Sequence, residues 1–175
     1  PLGSCTMKYN PKVCEDVAAD PGFAAVHPCF PDALVQGALA VCMELATDLA
    51  EISGMHEVTL APAAGAHGEL TGMKIIRAAL QARGNPRRKM LIPDTAHGTN
   101  PASSVLNGYQ CLEVKSSAEG LIDPAAVAAL MTDDVAGIMI TNPNTLGLFE
   151  RNLPEVARLV HDKGGFVYGD GANLN

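Results

Sequence analysis

The run Val135-Ala136-Gly137-Ile138-Met139-Ile140 contains no polar residue at all. A strand with one face in water alternates apolar and polar side chains. One that does not alternate must be covered on both faces, as in a parallel sheet with helices above and below. Shorter apolar stretches at Val58–Leu60, Lys89–Ile92, Gln110–Val114 and Phe166–Tyr168 read the same way. Helical patterns lie between them. One runs from about Glu69 to Arg83 and is ended by Gly84, and a short one covers Pro101–Asn107. A third opens on the capping pair Asp123-Pro124 and reaches Met131, and a fourth spans Asn152–Lys163 before Gly164-Gly165. Five strands alternating with helices define an α/β fold over residues 54–175, with a mostly parallel sheet. Residues 1–53 precede it as an irregular, proline-marked segment (1–30) and a helix over Asp32–Ser53, expected to lean on the sheet domain.

Composition narrows the class. Hydrophobic residues make up 47% of the 175 residues and charged residues 18%, which places the chain among globular domains. A net charge of −7 argues against a nucleic-acid partner. The one basic cluster, Arg83, Arg87, Arg88 and Lys89, sits at a predicted helix end, where cations favour the dipole. Cys5, Cys14, Cys29, Cys42 and Cys111 are scattered and odd in number, which suits reduced thiols rather than a disulfide framework. No leader pattern and no apolar run of membrane-spanning length is seen, so the expectation is a soluble, unexported protein with no membrane partner.

Four loops carry candidate chemistry: Gly65-Ala66-His67-Gly68-Glu69, His97-Gly98-Thr99-Asn100-Pro101-Ala102-Ser103, Thr141-Asn142-Pro143-Asn144 and Tyr168-Gly169-Asp170-Gly171-Ala172-Asn173. Each is placed at the carboxyl end of a strand, where open parallel sheets bind ligands. Taken singly, each has a plain structural reading. The first is either a phosphate cradle at a helix start or an ordinary strand-to-helix turn. His97 is either a satisfied histidine or a ring that stacks on a cofactor and relays protons. Asp170 is either a turn aspartate bonding its own backbone or the carboxylate that pairs with a protonated pyridine nitrogen. Asn142 either makes an Asn-Pro turn or bonds a phenolic oxygen. His27, Cys29, His67 and His97 lack the short spacing of a zinc site, and no metal is expected. Taken together, the loops supply the protein half of a pyridoxal 5′-phosphate site.

Longer motifs carry a resemblance. Pro1-Leu2-Gly3-Ser4-Cys5-Thr6-Met7-Lys8, His97–Ser103, Thr141-Asn142-Pro143-Asn144-Thr145-Leu146-Gly147-Leu148-Phe149-Glu150 and Asp170–Asn173 resemble the glycine cleavage system P-protein family, and within it the C-terminal half or the second subunit of split forms. The likeness runs nearly end to end. It implies the large domain of a fold-type I pyridoxal phosphate enzyme, present in part. It implies glycine decarboxylation, with the aminomethyl group passed to the lipoyl arm of H-protein. The implied partners are lipoylated H-protein, glycine and a companion P-protein subunit or half, in an oligomer. The implied location is the cytoplasm, or the mitochondrial matrix in a eukaryote.

Carried over residue by residue, the resemblance assigns the phosphate to backbone N–H groups of Ala66 and His67. It makes His97 the stacking, catalytic ring, and it puts Thr141 and Asn142 on the phenolic side. Asp170 falls at the pyridine nitrogen, with Ala172 beside it in the cofactor-binding loop. Ser4, Cys5 and Thr6 come near the substrate and the incoming lipoyl arm. The anchoring lysine of the family is expected beyond Asp170 and outside this sequence. None of Lys8, Lys12, Lys74, Lys89, Lys115 and Lys163 matches its motif, so the 175-residue piece is expected to be inactive alone. The alternatives are another fold-type I decarboxylase or aminotransferase, or a non-catalytic α/β binding domain.

Overall fold

A computed structural model describes residues 9–174. The chain divides into two compact units, Pro1–Pro62 and Ala63–Asn175, whereas the hydropathy pattern places the change at 53/54. The first unit is helical, with α1 (Lys12–Ala18), α2 (Pro21–Ala24), a 3-10 turn at Asp32–Leu34 and α3 (Gln36–Ser53). Two short helices thus occupy the segment expected to be irregular. Asp20 starts α2 by accepting the Gly22 N–H at 2.7 Å, with Pro21 at the first helical position. The expected helix over Asp32–Ser53 is broken at Val35, whose φ of −127° interrupts the turn. It ends as expected on Gly54 in the left-handed region, at φ 67°.

The second unit holds α4 (Gly65–Ala82), β1 (Lys89–Pro93), α5 (Thr99–Leu106), β2 (Gln110–Val114), α6 (Pro124–Leu130), β3 (Val135–Thr141), α7 (Leu153–Asp162) and β4 (Phe166–Asp170). The four strands form one parallel sheet in the order β2-β1-β3-β4. The fully apolar run is β3, buried at all seven positions and paired on both sides. Side chains of β3 serve both faces, with the alternation shifted by one residue at the irregularity beside Gly137. Val135, Ile138 and Ile140 join Val127, Val156 and Val160 of α6 and α7, while Ala136 and Met139 join Met73, Ile76 and Leu80 of α4. Each fully buried aliphatic side chain of these layers contributes about 1.5–3 kcal/mol relative to exposure.

Val58–Leu60 is not a strand, so the sheet has four strands rather than five. Three residues followed closely by Pro62, with Leu60 39% exposed, have neither the length nor the cover to pair. Gly65–Gly68, expected as a loop before a helix at Glu69, is instead the first turn of α4. Glycine is a poor helix former, but inward anchoring of Glu69 and Met73 outweighs that preference. Beyond it Gly72 lies where a Cβ would come within 2.6 Å of the Tyr168 ring, so its missing side chain lets α4 sit directly on β4. The Asp123-Pro124 start of α6 is as expected, with the Asp123 carboxylate accepting the Ala125 N–H at 2.9 Å. Among the described residues no helix is long and apolar enough to cross a membrane.

Candidate active site

Parallel strands all point their carboxyl ends the same way, so β1, β3 and β4 deliver the His97 loop, Thr141 and Asp170 to one edge of the sheet. Asp170 is the last residue of β4, not a loop residue after it. Its carboxylate is 8% exposed. Oδ1 accepts the Ala172 N–H at 3.0 Å, and Oδ2 accepts Asn100 Nδ2 at 3.2 Å and lies 3.4 Å from the Thr141 Oγ1. Thr141, 2% exposed, is the link across the edge. Its Oγ1 accepts the His97 N–H at 2.7 Å and lies 3.1 Å from the side-chain Oδ1 of Asn100, to which it donates. Asn142 accepts the Glu150 N–H at its Oδ1, at 3.1 Å, leaving its amide nitrogen without a partner among the described residues.

A second buried carboxylate faces this group. Glu69, on the first turns of α4 and 4% exposed, accepts the Ser103 hydroxyl at 2.8 Å and the Thr99 hydroxyl at 2.5 Å. His97 Nδ1 is 2.7 Å from the same Thr99 oxygen and 4.0 Å from Glu69 Oε1. Glu69, His97 and Asp170 thus bring one donor atom each within 4.8 Å of one another. Among the described residues neither carboxylate is ion-paired with a lysine or arginine. A buried carboxylate without a cation partner is costly, and His97 Nδ1, 4.0 Å from Glu69, is the nearest basic group to either.

The field of this pair reaches Tyr168. Burial first, and then the charges of Glu69 and Asp170, push its phenol up to about 12 from an ordinary 10.0. A group whose folded pKa is raised stabilises the fold fully below the unfolded value, and that contribution is lost as pH rises from 10 through 12. A phenolate absorbance titration of wild type and Tyr168→Phe is expected to place the missing ionisation near pH 12. An ionisation near 10 would show that neither burial nor the two charges act on the ring.

The start of α4 supplies a different kind of group. Ala64 precedes the helix in extended conformation and its side chain caps nothing. The N–H groups of His67 and Gly68 turn back to the Ala64 carbonyl at 3.0 and 3.1 Å. Those of Gly65 and Ala66 find no acceptor among the described residues, so they are the donors left for an anion. Of the two residues expected to face a phosphate, Ala66 keeps its N–H free and His67 does not. A cleft of about 330 Å³ beside His97, bordered by Asp94, Pro101, Cys111 and Glu113, opens toward β2 and does not include Asp170. Burial pushes the Cys111 thiol up, which suits an unreactive thiol. Ser4, Cys5 and Thr6 lie outside the described residues.

Glu69, Thr99, Asn100 and Ser103 stand in the loops singled out from the sequence, but no role had been assigned to them. Their partners are 30 to 70 residues away, so local spacing carries no sign of the pairing.

The parallel sheet, covered on both faces and carrying its polar groups at one edge, is an α/β architecture that two solved enzyme structures share. A crystal structure of inhibitor-bound glycine decarboxylase (P-protein) of the glycine cleavage system superposes with TM-score 0.73, at 21% identity, over 91% of this chain and 35% of that one. The structure of Oryza sativa TDC with PLP superposes with TM-score 0.70 at 16% identity, over 90% of this chain and 39% of that one. No protein-family model matches. Over its whole length the chain is homologous to part of the proteins named glycine dehydrogenase (decarboxylating) subunit 2. It is 57% identical to the probable subunit 2 of Caldanaerobacter subterraneus and 58% identical to that of Desulforamulus reducens. It spans 36% of the length of these relatives.

Proposed function

We propose that the protein carrying this sequence decarboxylates glycine and passes the aminomethyl group to the lipoyl arm of H-protein, using pyridoxal 5′-phosphate. The observation that carries this reading is Asp170. It is a buried carboxylate that accepts from the Ala172 N–H and from Asn100, lies 3.4 Å from the Thr141 hydroxyl and has no lysine or arginine partner among the described residues, at the strand edge where the fold presents ligands. A protonated pyridine nitrogen supplies the missing charge, so the residues present fit the cofactor. Bound there, pyridoxal phosphate supplies an electron-withdrawing ring that makes loss of CO₂ from glycine feasible.

In this reading Asp170 keeps the pyridine nitrogen protonated, and the Ala172 N–H, Asn100 and Thr141 keep Asp170 aimed. The free N–H groups of Gly65 and Ala66 take the phosphate at the start of α4. His97, set by its backbone bond to Thr141, offers its ring face for stacking, and the spare amide hydrogens of Asn142 face the phenolic side. Glycine, H-protein and a companion subunit are the partners, and the cytoplasm or mitochondrial matrix is the compartment. Support comes from the subunit 2 relatives and the P-protein likeness.

The test uses the whole native polypeptide with its companion subunit. Adding pyridoxal phosphate is expected to produce a visible absorption band, and carboxyl-labelled glycine is expected to release labelled CO₂ only with lipoylated H-protein. No band removes the cofactor from the reading, and a band without CO₂ release points to another fold-type I reaction.

A further inference from the structure

The Thr99 hydroxyl stands between two groups that compete for its single proton. Its Oγ1 lies 2.5 Å from Glu69 Oε1 and 2.7 Å from His97 Nδ1. Glu69 is buried, and its other oxygen already accepts the Ser103 hydroxyl at 2.8 Å. An ionised carboxylate accepts at both oxygens and donates at neither. Thr99 therefore gives its proton to Glu69 and turns a lone pair toward the ring.

The short contact between Oγ1 and Nδ1 still needs a proton, and only the ring can supply it. A neutral His97 is then protonated at Nδ1 and bare at Nε2. The backbone N–H of Thr99 also approaches Nδ1, at 3.3 Å. It would need the opposite tautomer, and with it a proton on Glu69. Hydrogen bonds weaken with length, so the 2.7 Å contact decides the arrangement. Nε2 has no partner among the described residues, and the side chain is 40% exposed.

We propose that Glu69 is a positioning residue: acting through the Thr99 hydroxyl, it holds His97 as the Nδ1–H tautomer and presents an unprotonated Nε2 to the site. The ring face remains available for stacking while its edge accepts a hydrogen bond or a proton from an N–H or O–H of the bound ligand. Ser103 holds the second Glu69 oxygen, so the carboxylate cannot swing away from Thr99. The identity of that ligand rests on the function proposed above, but the tautomer belongs to this chain alone.

The measurement is magic-angle-spinning ¹⁵N spectroscopy of the whole native polypeptide, labelled at histidine and free of added cofactor, with His97 assigned by the signal missing from His97→Asn. Wild type is expected to show a protonated Nδ1 and a bare Nε2. Thr99→Val, which removes only the hydroxyl's hydrogen bonding, is expected to move the proton to Nε2, and Thr99→Ser to keep it at Nδ1. Glu69→Ala frees the Thr99 proton for the ring and is expected to resemble Thr99→Val. A wild-type ring protonated at Nε2, or one indifferent to both Thr99→Val and Glu69→Ala, overturns the proposal. Should those two variants fail to fold, the wild-type and Thr99→Ser spectra still decide. Failure of pyridoxal phosphate to bind would sink the functional reading and leave the tautomer standing, and the wrong tautomer would do the reverse.

Discussion

Asp170→Asn is expected to lower H-protein-dependent release of CO₂ from glycine by roughly 10²- to 10³-fold, the size of effect seen when one preorganised electrostatic group is lost. The amide has nearly the same shape as the carboxylate and can still accept from the Ala172 N–H, so β4 and its turn are expected to stay in place. What disappears is the negative charge, together with the oxygen that accepts from Asn100. With the charge goes the reason for a protonated nitrogen to bind at a buried edge whose carboxylates have no lysine or arginine partner among the described residues. The measurement is CO₂ release from carboxyl-labelled glycine by the whole assembly, with a melting curve as control for folding. Wild-type rates in a folded Asp170→Asn protein would show that the carboxylate is a turn residue and nothing more.

Gly137→Ala is expected to cost about 3 kcal/mol or more of stability, at the upper end of what overpacking does. A Cβ at Gly137 would come 2.0 Å from the Phe166 carbonyl oxygen, 2.9 Å from its carbon and 3.0 Å from its nitrogen. These are backbone atoms of the paired strand, so no rotamer change relieves the overlap. The two residues are register partners in the β3–β4 ladder. On its other side β3 carries an irregularity, since Lys89 pairs with Val135 while Met90 pairs with Gly137. A glycine beside a bulge is the usual mark of close backbone approach. Denaturant unfolding of Gly137→Ala and wild type checks the value. A midpoint within error of wild type would mean that β4 can slide away from β3 at no cost.

The sheet was legible because both its faces are buried. Strands of that kind give uninterrupted apolar runs, and the run Val135–Ile140 marks β3 to within its terminal Thr141. The same criterion misread Val58–Leu60, where local apolarity comes without a partner or cover. Helix starts were legible where the chemistry is local, as in the Asp123 cap, and illegible where a distant anchor decides. At Gly65–Gly68 two glycines hid a helical turn that Glu69 holds from within. Loop positions were readable because a parallel sheet puts them at one edge. The wiring between them was not. Glu69 with Ser103, Asn100 with Asp170 and Thr141 with His97 are pairs that exist only once three strands and a helix have met.

That wiring sets what can be moved between proteins. One hydroxyl, on Thr141, touches the histidine loop, the asparagine that steadies the aspartate, and the aspartate itself. Grafting residues 97–103 onto another sheet would bring an asparagine with no carboxylate to aim and a histidine whose backbone hangs from nothing. The smallest portable unit of this edge is therefore discontinuous: the start of one helix, one loop, and the last residues of two neighbouring strands. Chimeras cut between those pieces should keep their sheet and lose their chemistry, whereas those exchanging all four together should keep both.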